Sequence, residues 1–287
     1  MPYEFDQLFH YLADKAAELK LAADGPRRGQ FEQLFNELAT EAAELKRIVI
    51  SQRLWNQTGG IVQHGLLRGY YLGERATWRP QDNAAKLLGL YEQEVCELIR
   101  RIAPGRSTLV DLGAADGFYG VGLIATDCFK HSHCYEIEDD SRENLRSLAM
   151  AAGVADRVHL YGAATSSFAG DLQHAGVDFS DAVVLCDIEG AEFEVLTREA
   201  LAAMRRAHII VEIHDFQIPG GQGPALLAAL VDRATEFFSI HEYRTGARDL
   251  SSVSVPAEHC ADNDRWLACS EGRAKLMSWL HFAPLAT

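Results

Sequence analysis

Between Ser107 and about Pro219 the sequence alternates short apolar runs with stretches of helical periodicity, and this alternation leaves few folds open to the chain. The runs at Thr108–Leu112, His133–Ile137, Arg157–Tyr161, Ala182–Asp187 and Ala207–Ile213 have the length and apolar content of strands. Helical spacing falls between them at Phe118–Cys128, Ser141–Ala152 and Glu192–Met204, with a shorter stretch near Ser167–His174. Such a series predicts an α/β domain with a doubly wound parallel sheet. Ligands of these sheets bind outside the carboxyl ends of the strands, so the residues after each run are the ones to read for function.

The first run opens into STLVDLGAADGFYG at Ser107–Gly120. Gly113, Ala114, Ala115 and Gly117 carry little side-chain bulk, which lets a ligand approach the backbone closely. An ordinary strand-to-helix turn would read the same way. A dinucleotide loop needs glycine at its first, third and sixth positions. Here those positions hold Gly113, Ala115 and Phe118, and the bulk of Phe118 spoils the fingerprint. An acidic-x-Gly-x-small-x-Gly pattern fits better, as Asp111, Gly113, Ala115 and Gly117. After the second run comes Glu136, 19 positions beyond Gly117, where a carboxylate can accept both hydroxyls of a ribose. The competing reading is a solvated charge, since Glu138, Asp139 and Asp140 follow closely.

The acidic-x-Gly-x-small-x-Gly loop resembles motif I of the class I S-adenosylmethionine-dependent methyltransferases. CYEIEDDSRENL resembles the segment of that family that carries the ribose-binding acid, which falls on Glu136. LYGAAT at Leu160–Thr165 is similar to its adenine-side segment. DIEGAEFEVL at Asp187–Leu196 resembles the D-x-E-G-A-E segment of FkbM-type methyltransferases, and VEIHDF at Val211–Phe216 is similar to that family's fifth strand. The resemblance spans about Ala84–Gly220 and departs from the pattern at Ala115, where many members have glycine. It implies a seven-stranded Rossmann-like methyltransferase sheet, with a last strand at Met277–Phe282 inserted antiparallel beside the sixth at Phe238–Tyr243. It also implies S-adenosyl-L-methionine as cofactor. Asp111, Gly113, Ala114, Ala115 and Gly117 would then shape the methionine and sulfonium end. Glu136 would hold the ribose with Ile137 beside it, Ala163 and Ala164 would flank the adenine, and Asp187 would face the transferring methyl.

Methyl transfer from a sulfonium asks the protein to align the acceptor and exclude water, and a hydroxyl acceptor also gains from a general base. Asp187, His214 and Asp215 stand at the proper edge of the sheet, and an imidazole titrating near ~6.5 makes His214 the best base. A histidine satisfying a loop hydrogen bond is the bland alternative. Asp187, Glu212, His214 and Asp215 also offer ligands for a divalent metal such as Mg²⁺, a reading the spacing does not favour. The reaction expected is O-methylation of a small molecule. The alternatives are a nicotinamide-dependent oxidoreductase, or a non-catalytic S-adenosylmethionine-binding scaffold that recruits a partner.

The flanking regions set the rest of the organisation. FDQLFHYLADKAAELK at Phe5–Lys20 repeats as FEQLFNELATEAAELK at Phe31–Lys46, 26 positions later. Both carry an amphipathic helical stripe, and Gly25-Pro26 separates them, which predicts a helical hairpin. It would serve as scaffold, lid or contact between two copies of the chain. Residues 1–82 thus form a helical extension, and 83–287 the cofactor-binding domain. Trp55, His64, Tyr70, Tyr71 and Trp78 read as packing, followed by one helix over Asn83–Ile102. Beyond the sixth strand a looped insert runs to about Asn263. The net charge of −14 argues against a nucleic-acid partner. The six cysteines lack metal-ligand spacing, and no apolar run reaches membrane-spanning length. A cytoplasmic protein with reduced thiols follows from these features.

Overall fold

A computed structural model of the chain describes residues 5–23, 28–73, 80–253, 260–273 and 275–285. Gly25-Pro26 and Trp78 lie outside the described residues. Seven strands form one sheet: β1 (Thr108–Leu112), β2 (His131–Tyr135), β3 (Val158–Tyr161), β4 (Ala182–Cys186), β5 (His208–Glu212), β6 (Phe238–Arg244) and β7 (Ser278–Pro284). Their order is β3-β2-β1-β4-β5-β7-β6. The first five run parallel, and β7 lies antiparallel between β5 and β6. This is a Rossmann-like sheet with its order reversing between β1 and β4, and a helical extension precedes it.

The helices are α1 (Phe5–Ala23), α2 (Arg28–Thr58), α3 (Asn83–Leu88), α4 (Gln93–Ile102), α5 (Gly122–Ala125), α6 (Asp139–Ala151), α7 (Phe168–His174), α8 (Glu192–Val195), α9 (Arg198–Ala203), α10 (Gly223–Thr235) and α11 (Asp262–Cys269). Because strand side chains alternate faces, the central strands feed two cores. Leu109, Val183, Leu185 and Ile210 pack with residues of α4, α5 and α6. Val110, Val184, Cys186 and Ile209 pack with residues of α7, α9 and α10 on the other face. In a third cluster Ile50 and Leu54 of α2 meet Leu87 of α3 and Ala268 of α11. The second half of α2 is therefore anchored to the α/β region, while its first half pairs with α1. All six cysteines are unpaired. Among the described residues no helix is long and apolar enough to cross a membrane.

Several boundaries differ from the sequence expectation. Strand β2 begins and ends two residues early, in register with Thr108↔His131, so Glu136 is the first residue beyond the sheet. The helix expected over Phe118–Cys128 shrinks to the four residues of α5, because the chain is still completing its turn through Gly117 and Gly120. The helix expected over Asn83–Ile102 breaks at Gly89, whose φ of 71° and contact with the His64 carbonyl leave no space for a Cβ. The one expected over Glu192–Met204 breaks at Thr197, an extended N-cap whose hydroxyl accepts the Ala200 N–H at 3.1 Å. Helix α11 and the length of α2 had no sequence signal in the repeat-based reading.

Candidate active site

At the carboxyl ends of β1, β2, β3 and β4 lies a cleft of about 490 Å³. Its walls include Asp111, Gly113, Ala114, Ala115, Glu136, Ile137, Ala163, Ala164 and Asp187. Nine of the sequence candidates, drawn from four strand ends, thus share one concavity. Gly117 and His214 do not line it. Gly117 turns the loop at φ 81°, where a Cβ would crowd Leu145 and Val121, and its carbonyl accepts the Tyr70 hydroxyl at 3.3 Å.

The loop after β1 is shaped by two close approaches. Gly113, at φ 90°, passes so near the Asp187 carbonyl that any Cβ would collide with it. Ala115 adopts φ 44°, a left-handed conformation that costs a non-glycine residue roughly 1–2 kcal/mol. The surroundings therefore hold the loop in a path that glycine would take without strain, which fits its standing where the related motif has glycine. The Ala115 N–H donates to Glu136 Oε2 at 2.8 Å, and the Glu138 N–H donates to Glu136 Oε1 at 2.8 Å. Each carboxylate oxygen keeps further acceptor capacity. Next to it Ile137 is 69% exposed, a large apolar side chain on the cleft wall.

Burial pushes the Asp111 carboxyl up to about 8, with the nearby Asp187 charge adding to the effect and the Gly120 N–H opposing it. Burial also raises Asp187 and drives Glu212 well above the carboxylate range. The Asp187 carboxylate adds to the rise of Glu212, the two groups standing within 4.8 Å of each other. Arg273 stands behind this pair. It donates to Glu212 Oε1 at 2.6 Å and to Glu271 Oε2 at 2.8 Å, and it also pairs with Glu92.

The DIEGAE turn gives each of its acids a separate task. Asp187 and Glu189 line the cleft, Glu189 at φ 54°, and the Gln217 side-chain amide donates to Glu189 at 2.5 Å. Glu192 is fully buried and accepts the Gly190 and His214 backbone N–H groups, each at 2.8 Å. It laces the turn to the end of β5. His214 is buried behind the cleft wall, with Nε2 at 3.7 Å from Asp187 Oδ1 and 3.5 Å from Glu189 Oε2. Burial pushes its imidazole down, but Glu192, Asp187 and Glu189 outweigh that and raise it above its ordinary value. Asp215 pairs with Lys275 at 3.6 Å.

Asp187, Glu212 and His214 each bring one potential metal ligand atom to within 4.8 Å of the others. The set suits Mg²⁺ poorly. It includes an imidazole where Mg²⁺ takes oxygen, and Arg273 already neutralises Glu212.

Sequence reasoning missed Lys86, Tyr91, Asp116, Tyr119 and Glu189 on the cleft wall, and Glu92 and Arg273 behind it. Glu189 lay inside the DIEGAE match and was within reach. Asp116 and Tyr119 lay inside the β1 loop, read there for its small residues alone; Lys86, Tyr91, Glu92 and Arg273 come from segments that no spacing rule links to the motifs.

No protein-family model matches the chain, and no curated protein matches it. Solved structures do. An O-methyltransferase from Bacillus cereus, solved in complex with SAH, is 10% identical, with 65% of this chain and 79% of that one covered at a TM-score of 0.43. The METTL16 MTase domain is 12% identical, with coverages of 85% and 80% and a TM-score of 0.49. An rRNA methylase from Streptococcus thermophilus is 12% identical, with coverages of 67% and 96% and a TM-score of 0.43. Backbone likeness at this level assigns neither a reaction nor a substrate to this chain.

Proposed function

We propose that the chain is an S-adenosylmethionine-dependent methyltransferase of FkbM type that methylates a small molecule at a hydroxyl oxygen. The observation that carries this reading is the shared cleft, where the glycine-poor β1 loop, Glu136, Ala163-Ala164 and Asp187 converge. Bound S-adenosylmethionine would supply a methyl group already activated on a sulfonium. Glu136, fixed by two backbone N–H donors, suits the ribose hydroxyls, and Ile137 with the two alanines offers a flat apolar wall for adenine. Phe118 takes up space on the wall that a pyrophosphate loop leaves to glycine, which speaks against a nicotinamide dinucleotide.

Within this reading Asp187 is the group that meets the acceptor, since it lines the cleft and His214 does not. His214 is then a positioning residue that holds a proton beside Asp187 and Glu189. Asp187 would take the hydroxyl proton as the methyl passes from sulfur to oxygen and S-adenosylhomocysteine leaves, with His214 and Glu212 beside it. The side chains supply all of this without a metal, so activity is expected to survive exhaustive chelation.

Incubating the protein with a metabolite extract and methyl-labelled donor, then searching by mass spectrometry for methyl-shifted species, tests the reading. A labelled small-molecule methyl ether is the expected product. Binding of S-adenosylhomocysteine with no labelled product would favour the non-catalytic scaffold.

A further inference from the structure

Lys86 is the one cation among the described residues that line the cleft, against six carboxylates: Asp111, Asp116, Glu136, Glu138, Asp187 and Glu189. It reaches the wall from α3, outside every motif recognised in the sequence. Only 3% of it is exposed. Its ammonium lies 4.9 Å from the centre of the Tyr91 ring and 5.3 Å from that of Phe118, and it pairs with Asp116 of the β1 loop. The aromatic faces hold the charge in place by cation–π attraction. Behind the pair is a second cavity of only about 10 Å³, lined by Trp55, Tyr70 and Asn83 among others. That is about the space of one water.

A ligand carboxylate entering this cleft finds no other cation among the described residues of its wall. A lone carboxylate on Lys86 would strand Asp116, and a lone ammonium on Asp116 would strand Lys86. A partly buried charge left without a partner is strongly destabilising. A group that carries both charges one carbon apart avoids either cost, because each wall residue exchanges its partner for one of opposite sign.

We propose that Lys86 and Asp116 form a zwitterion-exchange subsite for the α-amino-acid end of the cofactor, Lys86 taking the carboxylate and Asp116 the ammonium. The inference rests on the reading of the cleft as an S-adenosylmethionine site and goes beyond it by assigning the amino-acid end to an ion pair between the β1 loop and Lys86, which lies outside every motif. The pair then selects for a ligand with both charges, whatever the affinity of the nucleoside half.

Calorimetry on the full chain separates the two levels with three probes: S-adenosylhomocysteine, its decarboxylated analogue, and 5′-methylthioadenosine, which lacks the amino-acid end. Wild-type protein is expected to bind S-adenosylhomocysteine at least ~10-fold more tightly than either of the others, the equivalent of one charge-assisted hydrogen bond. Lys86→Met should lose that preference while binding 5′-methylthioadenosine within about twofold of wild type, well under the worth of one hydrogen bond. Asp116→Asn should weaken S-adenosylhomocysteine without affecting 5′-methylthioadenosine. Equal affinity of the wild-type protein for all three probes overturns the subsite while leaving the nucleoside site standing. A Lys86→Met loss that is the same for all three probes also overturns it. Binding of none of the three by the wild-type protein overturns the cofactor reading itself, and the subsite with it.

Discussion

Asp111 stands at the end of the opening strand with its carboxyl turned to Gly120 and away from water. Its ordinary value of 3.8 rises to about 8 in the fold, so the folded protein keeps a proton that the unfolded chain has lost over that interval. The stabilisation is complete below the unfolded value and is lost as pH rises through about 8. Asp111→Asn keeps the shape and cannot ionise. Denaturant unfolding should therefore find the variant gaining on the wild type between pH 5 and pH 8.5, whereas parallel stability profiles would mean that Asp111 is already ionised in the fold. The residue scale is also where sequence reading worked best and then stopped. Gly113 and Glu136 were legible because strand-end positions in an α/β chain follow from the pattern of runs. Lys86 was not, because a lysine on a short helix normally belongs to the surface. Arg273 was not either, since its partners Glu212 and Glu92 lie 61 and 181 positions away.

The strands were legible to within two residues, because short runs rich in apolar and β-branched residues alternate with helical stretches and leave little freedom. Helices were less so. Periodicity runs on through Gly89 and Thr197, and only the close approach of His64 and the capping of Ala200 end the helix there. The repeat predicted the hairpin of α1 and α2 but gave no warning that α2 continues to Thr58. Its second half places Ile50 and Leu54 in a core shared with α3 and α11, so the two ends of α2 carry different loads. Leu54→Ala is expected to destabilise the protein by about 2–5 kcal/mol. Deleting residues 1–27, which removes α1 alone, should leave the melting temperature nearly unchanged. A Leu54→Ala cost below about 1 kcal/mol, less than a buried leucine is worth, would place this core outside the cooperative fold.

For the whole molecule, the reversal of strand order between β1 and β4 opens the crevice, and β7 is inserted antiparallel between β5 and the edge strand β6. Strand β7 brings Trp279 under Arg273, its ring centre 5.8 Å from the guanidinium, and Arg273 in turn ties the start of α4, β5 and the chain before β7 together beneath Asp187. The cleft is thus supported by largely buried ion pairs, while its open wall offers Ile137 and the alanines. The central claim is that this cleft binds S-adenosylmethionine with Glu136 on the ribose. Titration calorimetry with S-adenosylhomocysteine tests it most directly. Wild-type protein should bind the ligand and ignore NAD, and Glu136→Ala should weaken binding at least ~10-fold, as expected when a charged hydrogen-bond acceptor is removed. Unchanged affinity in Glu136→Ala, or preference of the wild type for NAD, would contradict the account.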